Sequence, residues 1–177
     1  MDQTERDGLS TFLDEVAGLI GDILDEQHED WFPPGLGRRL RETWESEVAP
    51  KIGDVQSAIA SRQDETSLEQ AGLTGEQLMI KLEAWRHAKD AAREGPLSKA
   101  PRKRWKPSLS WIGGVLRPLQ GALKIADAIL ESIGSAIPAL HGVEEFKKIL
   151  EGLLDLHDGR EPLQKFGSWL RRPFGRP

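Results

Sequence analysis

The chain has 177 residues, of which 38% are hydrophobic and 30% are charged, a composition typical of one soluble globular domain. It contains no cysteine, which excludes disulfide bonds, thiolate zinc sites and catalysis by a cysteine nucleophile. Its formal net charge of −5 argues against a general polyanion-binding protein. The N-terminal residues are acidic where a signal peptide would be basic, so we expect a cytoplasmic protein.

The first predicted helix runs from Phe12 to Leu24, because apolar residues recur there at spacings of three and four. Thr11 is its predicted N-cap. The other face is acidic, and residues 2–30 contain ten acids and one base. Two interpretations stay open: this is either the solvated face of a soluble helix or a docking surface for a basic partner protein. The contact residues predicted for such a partner are Asp22, Asp25 and Glu26.

A second helical segment is predicted from Leu40 to Ile59, where apolar residues recur every three or four positions. It follows a break at residues 31–37, because two prolines and two glycines cannot continue the preceding helix. Pro50 lies inside this second segment. Since proline lacks a backbone N–H, we expect it to kink or divide the helix.

The third predicted helix has the clearest ends in the sequence. Thr74 is the expected N-cap, and Gln77 follows three residues later as the second member of a capping box. Leu73 and Leu78 occupy the two positions of a hydrophobic staple. Gly95, which a proline follows, is the expected end of the helix.

Two stretches of the chain are basic. Residues 96–108 form a predicted linker with three prolines, five basic residues and no acid. Residues 160–177 form a predicted tail, which from Lys165 onward has four basic residues and no acid. Aromatic residues are interleaved with the bases of this tail, namely Phe166, Trp169 and Phe174.

The most apolar part of the chain runs from Leu109 to Val143 and carries only four formal charges. Apolar residues recur there on a helical period, but glycines and prolines lower the helix propensity, so we expect them to divide the segment. Its longest uncharged stretch, residues 132–143, has 12 residues, whereas a membrane-spanning helix needs roughly 20. A final helix is predicted from Val143 to His157.

No segment shows the sustained alternation of apolar and polar residues that is typical of strands. The sequence therefore predicts an all-α fold, an up-and-down bundle of four to five helices with a basic proline-rich loop and a basic C-terminal tail. We expect residues 1–159 to form the bundle, with 96–108 as an internal loop.

The sequence carries no pattern that predicts catalysis. Four histidines lie on different segments, without the helical pair of a zinc peptidase, so we predict no metal site. Gly35 and Gly37 lack the third glycine and the preceding strand of a dinucleotide-binding loop, and neither a phosphate-binding loop nor a nucleophile elbow occurs. We predict no enzymatic activity and no cofactor. A catalytic site assembled from distant residues stays open, since it would need a pocket that only a structure reveals.

Basic and aromatic residues flank the apolar segment. Tryptophan rings and cationic side chains suit the headgroup region of an anionic membrane, where each basic residue contributes on the order of 1 kcal/mol. The alternative is a solvated loop, with Trp111 in the core. Nucleic acid is disfavoured as a partner, because the acidic first helix would repel its phosphates. The residues predicted to bind a membrane are Lys99, Arg102, Lys103, Arg104, Trp105, Lys106, Trp111, Trp169, Arg171, Arg172 and Phe174.

Three stretches, at residues 111–116, 132–138 and 143–146, together resemble segments of the bacterial Bell and fungal HeLo helical bundles. The resemblance implies a conditional cell-death domain that is soluble when inactive and permeabilises membranes after assembly. It covers at most a third of the chain, and no functional residue is carried over. In the fungal proteins the N-terminal segment is the apolar membrane inserter, whereas the first helix here has an acidic face.

The sequence thus favours a non-enzymatic bundle that acts on anionic membranes as a defence or cell-death effector. A trigger, or assembly into a homo-oligomer, would release the apolar helix, while the basic loop and tail hold the domain at the inner face of the membrane. The alternative is an adaptor that docks a partner protein through its acidic first helix or an apolar groove.

Overall fold

The computed structural model describes residues 1–32, 35–61, 65–94, 109–137 and 148–149, except for the side chains of residues 30, 31 and 109–117. No strand occurs in these ranges, which confirms the all-α prediction. The α-helices there are α1 (Gln3–Ile23), α2 (Leu36–Thr43), α3 (Ile52–Ala60), α4 (Glu65–Gln70), α5 (Gly75–Glu94) and α6 (Leu109–Ala136).

Helix α1 begins earlier than the sequence pattern predicts. Asp2 is its N-cap: an Asp2 carboxylate oxygen accepts a hydrogen bond from the backbone N–H of Glu5 at 2.8 Å, and the Glu5 carboxylate accepts one from the Asp2 N–H at 2.8 Å. The predicted N-cap, Thr11, therefore lies inside the helix, and that prediction is wrong. The apolar period starts only at Leu9, so it does not mark the polar first turn.

The second predicted segment is divided, as expected. Helix α2 passes into a π-helical turn at Trp44–Val48 and a 3-10 turn at Ala49–Lys51, which contains Pro50, before α3 begins. The change in hydrogen-bond spacing lets the chain accommodate the missing N–H of the proline. The predicted apolar stripe is buried throughout, at Leu40, Trp44, Val48, Ile52, Val55 and Ile59.

Helix α4 was not predicted, because six residues are too few to show a helical period. It ends in a Schellman motif: the N–H of Gly72 donates to the carbonyl of Glu69 at 3.0 Å, and the N–H of Leu73 donates to that of Leu68 at 2.9 Å. Gly72 has a φ of 71°, which favours glycine. Leu68 and Leu73 are both fully buried.

Helix α5 starts at Gly75, directly after the predicted cap position Thr74. Helix α6 is continuous from Leu109 to Ala136, although Pro118 lies within it. The prediction that glycines and prolines divide this part of the chain is therefore wrong as far as Ala136. Packing of an apolar face against α5 and α4 outweighs the low helix propensity.

The helices form an up-and-down arrangement around α1. Arg6 contacts the carbonyls of Ile59 and Ser61, and Gln56 contacts the carbonyl of Ser10, so α1 and α3 are antiparallel. Glu5 contacts the N–H of Gly75, and contacts further along the two helices keep the same order, so α1 and α5 are parallel. Ile149, in the predicted final helix, is fully buried in the same core.

Candidate functional site

The acidic face of α1 is directed partly at α5. Glu15, near the middle of α1, accepts a hydrogen bond from the Trp85 indole N–H at 2.8 Å and lies 3.1 Å from the Lys89 ammonium. Phe12 packs edge-to-face on Trp85, with ring centroids 5.4 Å apart. One carboxylate therefore joins an aromatic pair and a cation across the interface of the two helices.

Asp22, one of the residues predicted to bind a partner protein, has a partner within the chain. Its Oδ2 accepts a hydrogen bond from Arg93 Nη1 at 2.6 Å, and its backbone carbonyl accepts one from Nδ1 of the buried His28 at 2.6 Å. Both members of the Asp22–Arg93 pair stay near half exposed. The acid thus ties the C-terminal end of α1 to that of α5.

Asp25 and Glu26 lie in the turn that follows α1. Asp25 is the N-cap of a 3-10 helix, and its Oδ1 accepts from the N–H of Gln27 at 3.0 Å. Glu26 is 83% exposed and lies 3.7 Å from Arg41 of α2, which also donates to Glu29 at 2.9 Å. The hydrogen bond to Glu29 raises the pKa of Arg41 above its usual value.

Nine acids of the first thirty residues thus bind donors or cations of this chain, namely Asp2, Glu5, Asp7, Asp14, Glu15, Asp22, Asp25, Glu26 and Glu29. The sequence left two interpretations of the acidic face open, a solvated face or a docking surface for a basic partner protein. In the structure, the basic residues that pair with these acids lie largely on α5 and α2. No sequence pattern revealed this pairing, because it joins residues about 70 positions apart. A role for Asp22, Asp25 and Glu26 in docking another protein stays a prediction.

A small cleft of about 130 Å³ opens between α1 and α5. Its walls are apolar or aromatic, with Phe12, Leu82 and Trp85, while Glu15 and Arg86 supply the charged groups. The volume is below the roughly 300 Å³ at which sites for small organic ligands begin. In the described ranges, no group of three or more histidines and acids could hold a metal ion.

Helix α6 exposes few charges on its outer side. Over residues 118–136, its inner face is buried and, apart from Gln120, apolar; it comprises Leu119, Ala122, Leu123, Ala126, Ile129, Leu130, Ile133 and Ala136. The exposed positions in this range are Pro118, Gly121, Lys124, Ala128, Glu131 and Ser135, of which two are charged. The exposed residues of α5, by comparison, include two large apolar ones, Met79 and Ile80, and six charged ones, Glu76, Glu83, Arg86, Asp90, Arg93 and Glu94. Across the part of the chain that the structure describes, none of the helices combines the length and apolar composition needed to cross a membrane.

Most residues predicted to bind a membrane lie outside the described residues. These are Lys99, Arg102, Lys103, Arg104, Trp105, Lys106, Trp169, Arg171, Arg172 and Phe174. Trp111 lies in the first turns of α6, and its side chain is not among those described. The membrane-binding assignment stays a prediction.

A buried polar cluster lies where α1, α3 and α4 meet. Arg6 is 5% exposed, and its Nη1 donates to the carbonyls of Ile59 and Ser61. Its Nη2 lies 3.9 Å from Oε1 of Glu65, and that oxygen also accepts a hydrogen bond from the Met1 ammonium at 2.5 Å. Sequence reasoning missed this cluster, because a single base among ten acids gives no sign of burial.

Comparisons with protein-family models, with curated proteins and with solved structures found no match. The resemblance of the apolar segment to Bell and HeLo bundles therefore stays a prediction from the sequence.

Proposed function

We propose that this bundle acts at the surface of anionic membranes, and that α6 is the helix that enters the interface. The observation that carries the proposal is the composition of α6 at residues 118–136: its inner face is apolar except for Gln120, and its outer face exposes mostly small, uncharged residues. The basic loop that precedes α6 in the sequence supplies the attraction to anionic headgroups.

The mode of action we propose is interfacial. Lys124, Asp127 and Glu131 make α6 an amphipathic helix, and none of the helices described could span the bilayer. A helix of this kind lies in the plane of the interface, with its apolar face among the acyl chains and its charges among the headgroups. The inner face that now packs on α5 and α4 is the face that would meet lipid.

If α6 leaves the bundle, the membrane has to bury the apolar side chains that the protein core buries in water. Five large aliphatic side chains of α6 are buried, and each contributes about 1.5–3 kcal/mol, so exposing them all to water would cost roughly 8–15 kcal/mol. That range equals the whole stability of a typical domain. Helix α6 is therefore retained in the bundle in water, and we expect it to leave only where lipid or other copies of the chain accept its apolar face. The five side chains are Leu119, Leu123, Ile129, Leu130 and Ile133.

The test is co-sedimentation with anionic and with neutral vesicles, combined with a fluorescent probe on α6. Because the chain has no cysteine, an Ala128→Cys variant carries a single thiol on the exposed side of α6 for an environment-sensitive dye. We expect binding to anionic vesicles at low salt and a blue shift of the dye emission on binding, because position 128, on the outer face of α6, leaves bulk water for the headgroup region. Ala84→Cys, an exposed alanine of α5, is the matched control and should show no shift.

Each outcome has a clear meaning. Absence of binding to either kind of vesicle at low salt contradicts the proposal. Binding with equal blue shifts at positions 84 and 128 contradicts the assignment of α6. Binding that survives Lys103→Glu together with Arg104→Glu contradicts the role of the basic loop.

An adaptor is not proposed, because Asp22 already pairs with Arg93 and Asp25 caps a helix.

A further inference from the structure

The contact between Arg6 and Glu65 joins α1 to α4, the shortest of the described α-helices. Arg6 lies on α1 and is buried, so its charge requires partners. Two backbone carbonyls at the end of α3 accept hydrogen bonds from Nη1, while Nη2 makes none within the described residues. The carboxylate that offsets the charge is that of Glu65, which lies 3.9 Å from Nη2 and belongs to α4.

Two cations share this one carboxylate oxygen. The Met1 ammonium takes the hydrogen bond to Oε1 of Glu65, and the Arg6 guanidinium lies just beyond hydrogen-bond distance from the same atom. Glu65 is 45% exposed, so it can move toward solvent, whereas the Arg6 side chain is enclosed. The mobile partner of the pair is therefore the acid, together with the helix that carries it.

Helix α4 depends on few other contacts. Its one fully buried side chain is Leu68, whereas α1 buries seven apolar side chains. Its C-terminal end is held by the Schellman motif and by Lys81, whose ammonium donates to the carbonyl of Gly72 at 2.9 Å. Among the described elements, α4 packs against α6. A short helix with one apolar anchor is the kind of unit that opens locally while the rest of a domain stays folded.

We propose that Glu65, which pairs with Arg6 and with the Met1 ammonium, is a latch that keeps α4 closed over α6, and that its loss opens α4 locally without unfolding the α1–α3–α5 core. Opening uncovers the part of the apolar face of α6 that α4 now covers. The consequence for membranes rests on the proposed function, since the uncovered face is the one assigned to lipid. The opening itself does not depend on that function.

The test measures how fast a buried thiol reacts in the absence of lipid. Leu68→Cys places one thiol beneath α4, and Val16→Cys places one in the centre of α1, where the side chain is also fully buried. Each is combined with Glu65→Gln, which removes the charge and keeps the shape. The matched control is Glu69→Gln, the same change at an exposed position of α4.

We expect position 68 to react faster than position 16 both in the parent and in Glu65→Gln, because opening of α4 does not require global unfolding, and we expect Glu65→Gln to raise the labelling rate at position 68 about fivefold, as for a half-exposed ion pair. Equal labelling rates at positions 16 and 68 would mean that both thiols react only after global unfolding and would overturn the latch. An effect of Glu69→Gln as large as that of Glu65→Gln would also overturn it, since the contacts of Glu65 would then be irrelevant.

The latch and the proposed function fail in different experiments. If position 68 opens in Glu65→Gln but no variant binds vesicles, the latch is upheld and the membrane function is contradicted. If the protein binds anionic vesicles but position 68 does not open faster in Glu65→Gln, the membrane function is upheld and the latch is contradicted.

Discussion

Replacing Trp85 tests whether the interface between α1 and α5 is held by the contact with Glu15 as well as by apolar packing. Trp85→Phe keeps a ring beside Phe12 but removes the indole N–H that donates to Glu15. A hydrogen bond to a charged group contributes about 1.5–3 kcal/mol, and the partial exposure of Glu15 favours the lower figure. Trp85 is 1% exposed, so the smaller ring also leaves a cavity, at a further cost of about 1–2 kcal/mol.

We therefore expect Trp85→Phe to lower the free energy of unfolding by about 3 kcal/mol, or Tm by about 6–12 °C for a chain of this size. The assay is urea unfolding followed by far-ultraviolet circular dichroism, which does not depend on tryptophan emission. Glu15→Ala and the double variant complete a thermodynamic cycle, in which we expect a coupling of about 1 kcal/mol. Glu83→Ala, an exposed acid of α5, is the control and should change stability by about 0.5 kcal/mol or less.

Two results would refute this reasoning. A loss below about 1 kcal/mol for Trp85→Phe would mean that the indole N–H and its packing contribute little. Additive effects of the two substitutions, within about 0.3 kcal/mol, would mean that Glu15 and Trp85 do not interact energetically in solution.

Two further predictions concern α4 and its contacts. Gly72→Ala should lower the free energy of unfolding by about 1–2 kcal/mol in urea titrations, since φ is positive and a Cβ would lie 2.6 Å from the Gln77 amide oxygen. Gly53→Ala, in α3 with open space around it, should raise the free energy instead, and a loss at both sites would contradict this. The hydrogen bond to Glu65 raises the pKa of the Met1 amine above its ordinary value of 8.0. The protonated amine therefore contributes its full stabilisation below pH 8, and this contribution is lost as the pH rises through the higher pKa of the folded state. In that pH range the free energy of unfolding should fall more steeply in the parent than in Glu65→Gln. Parallel pH profiles of the two proteins would contradict this prediction.

Local sequence signals predicted the elements that depend on local interactions. Apolar spacing located α1, the α2–α3 segment, α5 and α6, because each helix must bury one stripe against its neighbours. Pro50 correctly predicted the division between α2 and α3, because a proline has no backbone N–H to donate within an α-helix. Apolar spacing missed the start of α1, because the first turn after Asp2 is polar. It also missed α4, because six residues are too few to show a helical period.

The continuity of α6 and the partners of the acids were decided by the tertiary structure alone. Pro118 and several glycines weaken α6 locally, but burial of its inner face against α5 and α4 outweighs that preference. Glu15 and Asp22 look solvated in the sequence, yet their partners lie on α5, about 70 residues away. Charge and hydropathy patterns describe which residues share a helix face. They do not say which other helix that face meets, because contacts between distant residues depend on how all the helices pack together.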